Sequence, residues 1–138
     1  MVSRSIYTTV VAAALFVAPA FAAEDLTNAP PPAPYAKVSK LVALPDFIPG
    51  LGTLYVDPAT LPAGPFLGYD HLGKLAATVY MTPIDQLKDG KAFEDLKLGN
   101  ANVTSVEVYY NAGHPAVEKP HIHIVLLHGP DAEARLAK

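Results

Sequence analysis

The sequence predicts a mainly β fold, α+β at most: a small antiparallel sheet or barrel with one or two short helices. Three observations lead there. Short runs rich in Val, Thr, Tyr and Leu recur at close spacing with Gly and Pro between them. The two strongest runs, residues 103–110 (VTSVEVYY) and 121–128 (HIHIVLLH), alternate with a period of two. The helix signals are brief, and strands so closely spaced favour an antiparallel layout over an alternating α/β one.

Taken in order, residues 35–44 alternate in part, with Val38, Val42 and Leu44 on one side and Lys37 and Ser39 on the other, and are expected to form a strand. Pro45, Pro49, Gly50 and Gly52 mark a turn, and residues 53–56 are short and β-prone. Residues 66–69 and 74–81 are expected to pair as a hairpin around Asp70-His71-Leu72-Gly73. Thr82-Pro83-Ile84-Asp85 looks like a helix start, with Thr as cap, Pro in first place and an acid in the first turn; Gly90 ends it early. Residues 89–99 read as irregular, anchored by Phe93 and Leu96. Gly129-Pro130-Asp131 is expected to open a short terminal helix with Glu133, Arg135 and Lys138 outward.

The amino terminus has the three parts of a secretory signal: Arg4, an uncharged apolar run over residues 6–17, and Ala20-Phe21-Ala22, a pattern cut after Ala22. The apolar run is shorter than the roughly 20 residues that span a bilayer. Residues 1–22 are therefore expected to be removed, residues 23–34 to form a Pro-rich tether, and residues 35–138 to form one domain, periplasmic or secreted. The mature chain would have about 116 residues, enough for a single core. With Arg4 gone, nine basic residues face thirteen acidic ones, a net charge of −4. No basic cluster exists to hold a phosphate backbone, so nucleic acid is not expected as a partner, nor is a membrane for the mature form. The chain has no cysteine. Disulfides, thiol nucleophiles and Cys-ligated metals are excluded, and packing or homo-oligomerisation must hold the fold.

Chemistry has one place to sit. Four of the five histidines, His114, His121, His123 and His128, fall within fifteen residues. In a strand, His121 and His123 point to one face and Ile122 to the other. Matching the apolar sides of the two strong strands places Ile122, Ile124 and Leu126 with Val106, Val108 and Tyr110, expected in the core. His121 and His123 then share the opposite face with Glu107 and Tyr109. His114 and Glu118, in the Gly- and Pro-rich loop 111–120, can fold over that face. The expected ligand set is His114, His121 and His123, with Glu118 or Glu107 assisting. Such nitrogen and oxygen donors suit a divalent metal, zinc first, with copper, nickel or iron as alternatives. His128 is expected as a terminal polar residue and His71 as an exposed turn residue. No serine sits in a nucleophile elbow, Gly50-Leu51-Gly52 lacks the rest of a dinucleotide fingerprint, and Asn102-Val103-Thr104 matches a glycosylation acceptor by chance.

Three stretches together carry a resemblance: PGLGTLYVDPATLPAGPFLGYD (49–70), LAATVYMTPIDQL (75–87) and VEVYYNAGHPAVEKPHIHI (106–124). They resemble a family of small, exported, functionally uncharacterised bacterial proteins with a Gly-His-Pro segment followed by Pro-His-x-His. The resemblance implies a shared fold and a shared histidine site at His114, His121 and His123, and it implies no reaction. The likeness to cupins is architectural only: their H-x-H strand is followed by a glutamate, where this chain has Val125, Leu126 and Leu127. The sequence thus predicts an exported metal-binding protein. It leaves open a metal-dependent enzyme activating water or oxygen, and a module that binds an unknown small molecule or forms oligomers without metal.

Overall fold

Six strands pair antiparallel throughout: β1 (Ala36–Lys37), β2 (Thr53–Val56), β3 (Phe66–Tyr69), β4 (Leu75–Pro83), β5 (Val103–Asn111) and β6 (His121–His128). They form one open sheet in the order β1-β2-β3-β4-β6-β5, seen in a computed structural model that describes residues 24–138. The expected signal sequence lies outside the described residues. Among those described, no helix is long and apolar enough to cross a membrane.

The mainly β expectation holds, as an open sheet with two short helices, α1 (Ile84–Lys88) and α2 (Ala132–Leu136). The central hairpin closes as expected: Asp70 accepts from the backbone N–H of Leu72 and of Lys74, both at 2.9 Å, and fixes the turn between β3 and β4. Residues 35–44 do not form one strand. Only Ala36–Lys37 pairs with β2, and Val38–Lys40 winds into a 3-10 turn. Val38, Val42 and Leu44 still face the core, since one turn of 3-10 helix can bury the same apolar residues as a strand would.

The residues expected to act as a tether lie along the domain. Ala29 N–H donates to Gly73 and Leu75 N–H to Thr27, while the Tyr69 hydroxyl donates to the Leu26 carbonyl. Pro-rich backbone lacks donors for a sheet interior but can border an edge and supply carbonyls.

The sheet buries both faces unequally. The inner face carries Leu54, Val56, Phe66, Ala77, Val79, Met81, Val125 and Leu127, covered by Val38, Leu51, Ala132 and Leu136. The outer face buries Leu67, Tyr69 and Leu75 under Leu26, Ala29 and Tyr35.

Pairing of β5 with β6 follows the expected alignment, with Val106 opposite Leu126, Val108 opposite Ile124 and Tyr110 opposite Ile122. Which side is buried is the reverse of the expectation. His121 and His123 point inward and are fully or almost fully buried, whereas Val106, Val108 and Tyr110 stand 53%, 65% and 59% exposed. The reason lies in where the covering segments run. Residues 38–51 and α2 close over the face that holds Val125 and Leu127, so the histidines on that face are enclosed with them.

Candidate metal centre

β6 sits between β4 and β5, so the inner-face histidines have neighbours on both sides. His123 lies opposite Met81 on β4 and Tyr109 on β5, and His121 lies opposite Pro83 and Asn111. Their rings stack at 4.9 Å between centroids, and Nε2 of one stands 2.9 Å from Nε2 of the other.

His114 arrives from the loop, and the loop is built to bring it. Gly113, at φ 135°, fits where a Cβ would meet the Glu118 carbonyl oxygen at 2.4 Å. The Asn111 side chain accepts from Gly113 N–H at 2.9 Å. His114-Pro115-Ala116-Val117 then makes a tight turn, with N–H groups of His114 and Val117 donating to each other's carbonyls at 2.9 and 3.0 Å. Pro115 supplies its fixed φ to that turn. Ala116 takes φ 75°, a left-handed conformation that a non-glycine residue adopts at some cost. Val117 packs on the inner core and anchors the turn there. The His114 ring thereby stands edge-on to both others, 4.9 Å from His121 and 5.7 Å from His123.

Each of the three rings uses Nδ1 for a partner outside the cluster. His114 Nδ1 lies 2.9 Å from the Pro115 carbonyl oxygen, and His121 Nδ1 lies 2.7 Å from that of Lys119. A carbonyl only accepts, so both Nδ1 atoms carry the proton and both Nε2 atoms present a lone pair. His123 Nδ1 lies 3.1 Å from the Tyr109 hydroxyl, which can donate or accept. Without an ion, His123 Nε2–H donates to His121 Nε2 while the Tyr109 hydroxyl donates to His123 Nδ1. To ligate an ion through Nε2, His123 would carry its proton on Nδ1 instead, where the Tyr109 oxygen could accept it, and a third lone pair would face the cluster. Burial, followed by the neighbouring His121 and His114, pushes the His123 pKa down to about 4, so the ring is neutral at physiological pH.

The three histidines each offer a ligand atom, all within 4.8 Å of one another. The expected carboxylates do not join them. Glu107 is exposed on β5 opposite Val125, Glu118 is exposed in the loop, and neither belongs to the group that the described residues bring together. A side chain two rows along a strand, or beyond a tight turn, shares a face without reaching the same point.

His128 faces away from the cluster, as expected, but it is not a terminal polar residue. It is buried, with Nε2 2.7 Å from the Thr78 hydroxyl and Nδ1 3.3 Å from the Asn102 carbonyl. Thr78 in turn accepts from Gly99 N–H at 3.0 Å, so His128 ties the loop before β5 to the sheet. His71 is exposed in the hairpin turn, stacked on Phe47 at 3.7 Å. An apolar cleft bordering His114 and His123 left no trace in the sequence, because its walls come from stretches far apart in the chain.

Comparison with known proteins gives an informative likeness. A hypothetical protein, TTHB210, from Thermus thermophilus, known from a crystal structure, aligns over 69% of this chain and 94% of its own length, with 41% identity and a TM-score of 0.61. The chain belongs to the same family. No protein-family model matches it, and no curated protein does. Family membership therefore brings a shared fold and leaves the chemistry to the site itself.

Proposed function

We propose that the protein is exported and binds one divalent metal ion, zinc first among the choices, through Nε2 of His114, His121 and His123. The observation that carries the metal assignment is the hydrogen bonding of the rings. All three Nδ1 atoms are engaged by groups outside the cluster, which leaves Nε2 of each ring as the nitrogen for an ion, and the rings offer ligand atoms within 4.8 Å of one another. Metal-ligating histidines have their tautomer and orientation set by such outer partners. Three neutral nitrogens suit zinc, and three protein ligands leave a fourth position open. Export rests on Arg4, the apolar run and Ala20-Phe21-Ala22.

Elemental analysis of purified mature protein should find about one metal ion per chain, and His121→Ala/His123→Ala should bring that to background. A ligand present at 100 times its Kd stabilises a fold by about 2.7 kcal/mol. Added zinc should therefore raise the unfolding midpoint of the wild type and leave the double variant unmoved. Metal content that persists in the double variant would overturn the site. Intact mass of exported material should begin at Ala23, and retention of Met1 would overturn the processing.

A further inference from the structure

The cleft beside the histidines has a volume of about 290 Å³ and two distinct ends. Leu44, Ile48, Leu54, Phe66, Val79 and Met81 supply its apolar body. Its polar groups, Tyr109, Asn111, His114 and His123, all lie at the side formed by β5, β6 and the loop. Leu44 and Ile48 are only half-buried and Pro49 is exposed, so the cleft opens to solvent on the side of the 44–49 segment. Protein interiors pack to the density of organic crystals, with few voids larger than a water molecule. A domain this small that leaves such a space against its histidines has room for a ligand.

We infer that this cleft takes a small molecule with an apolar body and a single anionic oxygen head, the head completing the coordination of the bound ion. This rests on the metal reading above. The charge balance decides the head: three neutral imidazoles leave a divalent ion with both of its charges, and Glu107 and Glu118 stay outside the ligand group. Among the described residues lining the cleft, no side chain is acidic or basic apart from the two imidazoles, so nothing there would hold a second charged group. The walls decide the body: they offer hydrocarbon contact and no polar partner beyond the histidine end. Pockets of this kind, apolar with a few polar groups at one place, bind by burying surface and orient by the polar end.

The test uses straight-chain alkanoates from acetate to decanoate on the full mature protein, with zinc uptake measured first by equilibrium dialysis. With zinc bound, affinity should rise about fourfold per added methylene until the cleft is full. Removing zinc should weaken octanoate at least tenfold. Ile48→Trp and Leu44→Trp, each placed in a half-buried wall, should keep stoichiometric zinc and a cooperative thermal transition while losing the dependence on chain length. Equal affinity for acetate and octanoate on the zinc-loaded protein overturns the inference and leaves the metal reading standing. Octanoate binding that ignores zinc removal overturns it as well. Failure of zinc uptake in the first measurement overturns the metal reading, and this inference with it.

Discussion

His123 and His128 sit five residues apart on β6, both buried, one on each face of the sheet. Burial lowers the pKa of both, yet their surroundings differ in kind. His128 has a fixed partner at each nitrogen, Thr78 on one side and Asn102 on the other, and nothing remains for a ligand to satisfy. His123 has Tyr109 at Nδ1 and another histidine at Nε2, so its partner on that side is a second member of the proposed ligand set. A buried histidine is thus no sign of a site by itself. What distinguishes the two is what Nε2 faces, a threonine hydroxyl for His128 and another imidazole for His123.

His123→Gln should lower zinc affinity by more than the roughly 100-fold that loss of an outer partner causes, while the apo-protein stays folded. His128→Ala should do the opposite. It leaves Thr78 and the Asn102 carbonyl short of a partner and opens a cavity, and should lower stability by about 2–4 kcal/mol with metal stoichiometry unchanged. Denaturant unfolding and zinc titration on the two variants read both effects. If His128→Ala loses metal, the division between the two histidines fails.

Acid sharpens the same contrast. Both histidines have folded pKa values below the unfolded value of about 6.5. Between those values the unfolded chain binds more protons, so stability rises with pH, and the metal-free protein should lose stability as pH falls from about 6.5 toward 4. Excess zinc opposes protonation of the triad and should shift that loss to lower pH. A metal-free protein equally stable at pH 4.5 and 7 would contradict the burial of both rings.

Smaller effects follow at the margins. Tyr109→Phe removes the hydroxyl that would accept from His123 Nδ1 in a metal-bound state, and should weaken zinc about tenfold with little change in stability. His71→Ala, exposed and remote from the triad, should leave zinc binding unchanged and stability within about 0.5 kcal/mol. A larger loss there would show that stacking on Phe47 and contact with the Lys138 carbonyl hold the terminus after α2.

Much of this was legible in the chain. Period-two alternation fixed β5 and β6 almost to the residue, because side chains in a strand must alternate whatever they pack against. The same rule put His121 and His123 on one face, and the Gly and Pro content of residues 111–120 marked the loop that carries His114. Tertiary structure alone decided the rest. The pattern HIHIVLLH is apolar on both faces beyond Ile124, so alternation could not tell which face the 38–51 segment and α2 would cover. Covering the histidine face is what desolvates His123 and leaves Val106, Val108 and Tyr110 exposed. Carbonyls of Pro115 and Lys119 set the tautomers, and every residue has a carbonyl, so no residue type announces that role. Glu107 and Glu118 shared the expected face or loop but fall short of the point where the rings meet. Spacing along a chain fixes direction, and only the fold fixes distance.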